Sequence, residues 1–332
     1  VTAASSADAA VVLVDATKLR WNGDILANAS HALLPQTRRH SLLVTLLRVP
    51  SIVFAINKLD AVAEAPRAFI NIQRALREFA QSAGITVTAI VPVSALHGNN
   101  VVDADAGWVG YRGPSLLQIL EGLPSTPAET GAPLSFPVQW VEKFSSSADT
   151  DKGRRVFWGR VATGALAPGQ QVAVLPGGQV ATVAQVFDHT RQPASVPAGR
   201  SAGIVLDREV DISRGDWLLA HDGDKPLFQA TQTLRATIAW LDDEPLVEGR
   251  IYWAVHGHRW VKARVARITH RLDVHTLARE AATSLESNAI GEVELALQAP
   301  IAQLPYQQSR ALGSLVLVDT ASHKTAGAAL LH

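Results

Sequence analysis

Ser51-Ile52-Val53-Phe54-Ala55-Ile56-Asn57-Lys58-Leu59-Asp60 is the stretch on which the reading turns. A near-continuous apolar run, rich in branched side chains, is followed at once by Asn, Lys and Asp. A strand covered on both faces by helices needs such a run, because it has no solvent face to fill with polar residues. Ser51–Ile56 therefore reads as a buried parallel strand. In open α/β sheets ligands bind outside the carboxyl ends of the strands, which is where Asn57 to Asp60 fall.

Similar runs flank it at Val11–Val14 and Val87–Val93. Between them lie helical patterns. Leu42, Leu43, Leu46 and Leu47 recur within Thr37–Arg48, and Phe69, Ile72, Leu76 and Phe79 follow Pro66 at spacings of three and four. Gly84 stands where a C-cap belongs, and Pro114 is expected to open a last helix through Leu120. Alternating strands and helices imply right-handed crossovers and a parallel sheet. This first domain is expected over residues 1–125.

Leu123–Pro133 holds three prolines and reads as a linker. Beyond it the period changes to two, with short strands expected at Phe136–Trp140, Arg155–Val161, Gln171–Leu175 and Val180–Val186. Turn signals such as Pro176-Gly177-Gly178 separate them. A polar break is expected at His221–Pro226. Further strands are expected at Ala236–Trp240, Ile251–Val255, Val261–Ile268 and Leu315–Val318. Many short strands with frequent turns suggest small β-barrels, here over 134–222 and 230–332.

Composition excludes several function classes. Lys+Arg and Asp+Glu both number 30, so no net field draws the chain to nucleic acid or to a membrane surface. No apolar run approaches the roughly 20 residues of a membrane span, and no signal peptide is evident. Without Cys there is neither a disulfide framework nor a thiolate metal site. A cytoplasmic protein is expected. The chain starts at Val1 and contains no Met. It therefore reads as a segment of a longer protein, or as one whose modified methionines go unwritten.

Asn57, Lys58 and Asp60 carry the sharpest chemistry. Guanine presents N1–H and a 2-amino group side by side, and the Asp60 carboxylate can accept both. Asn57 can supply an amide on the Hoogsteen side, and the aliphatic stem of Lys58 can lie over the base. Adenine presents the wrong groups and leaves the carboxylate unpaired, at about 1.5–3 kcal/mol per charged hydrogen bond. Alone, these residues could equally be a polar turn. A second element, Ser94-Ala95-Leu96, ends the next expected strand, where backbone N–H groups can meet the base oxygen. Two base-reading segments at successive strand ends favour guanine.

No G-x-x-x-x-G-K-[ST] occurs, so no phosphate cradle is visible. No catalytic residue and no metal site is assigned. His256-x-His258 would share one strand face, but with no third ligand evident they read as surface histidines, as do His270 and His275. Asp242-Asp243-Glu244 reads as a solvated turn. The eight Trp read as core or interface residues rather than a base-stacking platform.

Together these residues resemble the large, GTPase subunit of bacterial heterodimeric sulfate adenylyltransferase. The narrow phrases are Gln36-Thr37-Arg38-Arg39-His40-Ser41 and Leu272-Asp273-Val274-His275-Thr276-Leu277. Phe136–Trp140, Asp211–Asp216 and Asn288–Gly291 match as well, so the likeness runs nearly end to end. The resemblance implies a partial P-loop GTPase domain followed by two all-β barrel domains. It implies GTP as ligand, with Mg in the full-length protein. Asn57, Lys58, Asp60, Ser94, Ala95 and Leu96 would be the guanine contacts. It also implies a catalytic small subunit as partner, which makes adenosine 5′-phosphosulfate from ATP and sulfate. Family members carry a P-loop stretch before the position of Val1, and Lys18–Leu34 looks like an inserted loop. An elongation-factor-like GTPase and a non-catalytic scaffold remain the rival readings.

Overall fold

A computed structural model describes residues 7–19, 33–143, 155–190, 193–223, 225–228 and 230–332. The described chain divides into two compact units. One comprises the residues up to Thr126 together with Asp273–Ala278, and the other comprises Pro127–Leu272 with Arg279–His332.

The first unit is built on three parallel strands in the order β1 (Ala9–Asp15), β2 (Ser51–Asn57) and β3 (Ala89–Val93). All seven residues of β2 are buried, as expected of the apolar run. Among the described residues β1 pairs on one side only, and Val11 and Leu13 are 40% and 61% exposed. β3 begins two residues later than expected. Thr88 already turns its N–H to Ile52 O and its hydroxyl to Ile52 N–H, so it closes the strand entrance.

Helix α1 (Pro35–Leu46) starts with Pro in its first turn, where a missing N–H costs nothing. Its buried face is not the leucine stripe alone: Thr37, Arg38 and Ser41 are buried beside Leu42. Helix α2 (Ala65–Ser82) buries Phe69, Ile72, Leu76 and Phe79, the expected 3.6-residue stripe. Gly84 follows it at φ +65°. Helix α3 (Leu116–Glu121) is opened by Ser115 and not by Pro114. The Ser115 hydroxyl accepts from Gln118 N–H, while the Gln118 side chain accepts from Ser115 N–H. This reciprocal capping satisfies two donors that a proline at that position could not.

The second unit contains two closed barrels. In the first, strands run Trp217–Asp222, Ser135–Lys143, Arg155–Arg160, Ser201–Leu206, Val180–Phe187 and Gln171–Leu175, which pairs back onto Trp217–Asp222. The break expected at His221–Pro226 is instead a strand end and a tight hairpin, because His221 and Asp222 pair with Pro226 and Lys225. In the second barrel the ring is Ile251–His256, Ser314–Asp319, Thr325–Leu331, Ala230–Trp240, Ile290–Ala302 and Arg259–Leu272, closed by Arg259–Leu272 onto Ile251–His256. Closure removes the exposed edges that open sheets must protect.

His256 corrects a sequence expectation. It is not a surface histidine but is 1% exposed, its ring stacked 5.1 Å from that of Trp217. Gly257, at φ +61°, lies so close to Trp217 that a Cβ there would come within 2.7 Å of the indole. Arg259 then reaches Asp216 at 3.0 Å. Trp217, Leu219, Phe228, Ala302 and Leu312 form the apolar cluster around this junction of the barrels. Among the described residues no group of three or more His, Cys, Asp or Glu is arranged to hold a metal ion. Likewise no described helix is long and apolar enough to cross a membrane. Most of the expected insertion at Lys18–Leu34 lies outside the described residues.

Candidate functional site

The polar residues that follow β2 are brought onto the segment that follows β3. Asn57 ends β2 in register with Val93 and with Asp15 of β1, so three strand ends converge. Asn57 is 8% exposed, and its side-chain oxygen accepts from Lys58 N–H at 2.8 Å and Ala95 N–H at 3.0 Å. A buried carbonyl with two donors is fully satisfied, so this group ties the two turns into one rigid piece.

Lys58 adopts the left-handed conformation, φ 65° and ψ 28°, which throws the chain sharply off the strand. A non-glycine residue there is uncommon and costs strain, a feature that clusters at functional positions. Its ammonium reaches Asp15 Oδ2 at 2.7 Å, at the end of β1. Burial pushes the Asp15 carboxyl up, but hydrogen bonds from Lys58 and Thr17 outweigh it and hold the group below its usual range. Asp15 was not picked out in the sequence, where it is one acidic residue after a strand. Its partner lies 43 residues away.

The short helical turn Leu59–Ala61 then places Asp60, whose side chain is 18% exposed. Leu59 is fully buried and anchors the turn. Facing Asp60 is His97, with Nε2 3.8 Å from Oδ2.

The segment after β3 is equally built. Ser94 is fully buried, and its hydroxyl accepts from His97 N–H at 3.2 Å. Asn100, also fully buried, donates to Pro92 O and accepts from Asp105 N–H. The structure refines one expectation. Ser94 N–H is spent on Asn99 O, and Ala95 N–H on Asn57. Of the three N–H groups, only that of Leu96 makes no bond among the described residues, and Leu96 is 80% exposed.

Asn57, Lys58, Asp60, Ser94, Ala95 and Leu96 are thus all brought to one end of the sheet. The arrangement offers a carboxylate acceptor, a backbone N–H unbonded among the described residues and an aliphatic Lys stem pinned at its tip. It can recognise a flat heterocycle with adjacent donors on one edge and an acceptor on another. Beside it, a cleft of about 510 Å³ runs along β1 and α1 and is lined by Asp15, Lys18, Gln36, Thr37 and His40 among others.

Comparison with known proteins bears on this geometry. Residues 1–129 match the family model described as Elongation factor Tu GTP binding domain. Residues 233–332 match the GTP-eEF1A C-terminal domain-like model. A protein of Xylella fastidiosa named Bifunctional enzyme CysN/CysC is 40% identical over 330 residues, which is 99% of this chain and 49% of that protein. Sulfate adenylyltransferase subunit 1 of Laribacter hongkongensis is 35% identical over 330 residues, 99% of this chain and 64% of that one. The chain therefore spans about half to two thirds of the length of these relatives. Among solved structures, sup35 complexed with GDP has a TM-score of 0.54 at 22% identity, covering 98% of this chain and 78% of its own. That likeness concerns the fold alone.

Proposed function

We propose that this chain, similar over nearly its whole length to proteins named sulfate adenylyltransferase subunit 1, is a translation-factor-like GTPase: the GTP-binding, GTP-hydrolysing subunit of a sulfate adenylyltransferase. In this reading a small catalytic subunit makes adenosine 5′-phosphosulfate from ATP and sulfate, and GTP hydrolysis on this chain drives that synthesis. The chain's own residues contribute guanine recognition. Asp60 accepts from N1–H and the 2-amino group. Leu96 N–H donates to the base oxygen. Asn57 keeps the Asp60 and Leu96 segments in register, and Lys58 covers the base face while Asp15 holds its ammonium.

One observation carries the proposal: the double hydrogen bond to Asn57 Oδ1, which fixes both turns as a unit. Recognition elements held rigid before binding spend less free energy on ordering. GTP is accounted for by these residues only in its guanine half. Among the described residues no group of three or more His, Cys, Asp or Glu is arranged to hold the magnesium that a triphosphate brings.

The test is Asp60→Asn with GDP, ADP and xanthosine diphosphate as probes. The amide should weaken GDP binding at least tenfold and raise the preference for xanthine, whose 2-oxo group suits it. Unchanged selectivity for GDP over ADP would remove Asp60 from the site. An elongation-factor reading would instead require tight, strongly salt-dependent RNA binding. A scaffold would bind the small subunit without nucleotide turnover.

A further inference from the structure

Strand residues that face away from a barrel core are ordinarily polar, and one side of the second barrel departs from this. In Ile251–His256, Tyr252 and Ala254 point into the core, so Ile251, Trp253 and Val255 point away from it. Opposite Val255 stand Trp260 on one neighbouring strand and Val316 on the other. Ile251, Trp260 and Val316 are 47%, 52% and 37% exposed. The Trp253 and Trp260 rings meet edge to face, with centroids 6.3 Å apart and planes at 73°. Single exposed apolar residues are ordinary on protein surfaces. A contiguous cluster containing two tryptophans marks an interaction site.

We propose that this face is the docking surface for the small catalytic subunit, which meets it with an apolar patch bordered by carboxylates. The inference rests on the function proposed above. Charge selects the occupant. Lys262 stands opposite Trp253, with Nζ 5.5 Å from its ring centroid, and Arg264 stands opposite Ile251. Both cations are exposed. Arg259–Leu272 carries five Lys or Arg, and neither it nor Ile251–His256 carries an acidic residue. The described arginine–carboxylate pairs within this barrel lie elsewhere. Glu294 takes Arg235, Glu244 and Asp319 take Arg250, and Glu280 takes Arg271. Lys262 and Arg264 therefore have no carboxylate partner among the described residues.

Two other occupants fit less well. A second copy of this chain would meet the patch across a twofold axis, which brings like surfaces together. Lys262 and Arg264 would then approach their own counterparts with no acid between them, at the cost of like-charge repulsion. Single-stranded nucleic acid could stack on the indoles and pair with the cations. Ile251, Val255 and Val316 would then lie against a charged backbone, and two cations neutralise few phosphates. A protein surface suits both halves of the patch. Its apolar side chains bury the aliphatic residues and the indoles, and its carboxylates meet the cations at the rim.

The experiment measures association of the purified small subunit with the full-length protein, as native chain, as Trp260→Ala, and as Lys262→Glu combined with Arg264→Glu. Trp260→Ala should weaken binding about thirtyfold, the order expected of a central tryptophan in an interface. The double charge reversal should slow association about tenfold at low salt and make added salt speed it rather than slow it. It replaces exposed groups, so it decides the question even where Trp260→Ala lowers stability. Native affinity in both variants would overturn the inference and leave the proposed function standing, since the native protein would still bind its small subunit. A native protein that binds no small subunit would remove both. A native dimer in sedimentation that Trp260→Ala dissociates would make a second copy the occupant and overturn the inference. Binding of single-stranded oligouridylate that Trp260→Ala abolishes would overturn it as well.

Discussion

The side-chain oxygen of Asn57 accepts the backbone N–H of Ala95 at 3.0 Å, across 38 residues of sequence. It accepts Lys58 N–H as well. Asn57 is buried but both donors belong to exposed residues, so water can reach them once the oxygen is gone, and each bond is worth about 0.5–1.5 kcal/mol.

Asn57→Ala is therefore expected to cost about 1–3 kcal/mol of stability and to loosen both turns. Asn57→Asp keeps an acceptor for the two N–H groups but removes the amide. It should retain most of the stability in urea denaturation and still weaken guanine binding. Equal destabilisation by the two substitutions would show that the oxygen is not what holds the turns together.

Asp15 and Lys58 differ from this clamp in exposure. The Lys58 side chain is 52% exposed, so solvent screens the pair and its contribution to stability stays within about 0.2–1 kcal/mol. Asp15→Asn should thus shift the melting temperature little. It should also raise the dissociation constant for guanine nucleotides severalfold, because the Lys stem is no longer pinned. A large loss of stability with unchanged binding would contradict this division of roles.

Arg38 connects two phrases that the sequence offered only as family signatures. It is 2% exposed and donates Nη1 to Val274 O at 3.2 Å and His275 O at 2.9 Å, with its guanidinium 4.8 Å from the Phe79 ring centroid. Asp273 holds the same turn by accepting from His275 N–H and Thr276 N–H. Arg38→Met fills the space but withdraws the donors, and should cost about 2–4 kcal/mol. Arg38→Lys should rescue only part, since an ammonium lacks the planar fork and the stacking face. Hydrogen exchange at 273–278 is the local readout, and protection unchanged in Arg38→Met would refute the tie.

The buried strand β2 and the helix α2 were legible because their patterns are complete within one segment: an unbroken apolar run and a 3.6-residue stripe. Thr325–Leu331 was not. Its Ala-Gly-Ala-Ala core lacks branched residues, and it becomes a strand by pairing with a neighbour on each side. At the site, Asn57 to Asp60 and Ser94 to Leu96 could be read because each follows a strand. Asp15 could not, since its meaning lies in the contact with Lys58. His256 was misread for a related reason. An isolated histidine in a strand reads as a surface residue, and only the neighbouring barrel supplies the Trp217 face that buries it.

Tyr252 is fully buried with its hydroxyl unpaired among the described residues. Burial pushes its pKa up to about 12, against the opposing influence of Arg250. Tyr252→Phe keeps the ring beside Trp240 and Arg250 and removes the unsatisfied polar atom. It should be neutral or stabilising by up to about 1 kcal/mol in thermal denaturation. A loss greater than that would mean the hydroxyl has a partner in solution.

His256 gives the barrel junction a pH limit. Burial holds its pKa down at about 4, below the ordinary 6.5; the hydrogen bond to Leu312 O opposes this, and the charge of Arg259 adds to it. The unfolded chain therefore takes up the proton more readily than the folded one, so stability is full above pH 6.5 and is lost as pH falls toward 4. The shift corresponds to about 3 kcal/mol. Asp216 pairs with Arg259, and His258 lies in the same turn, its pKa lowered by burial and by Arg214. Neither group supplies a carboxylate to a protonated His256. His256→Phe retains a ring against Trp217 but leaves Leu312 O without its donor, so it should lose about 1 kcal/mol at pH 7.5. Its denaturation midpoint should then vary much less between pH 6.5 and 4.5 than that of the native protein. If both proteins lose stability in parallel over that window, the acid sensitivity belongs to other groups and the junction is not its source.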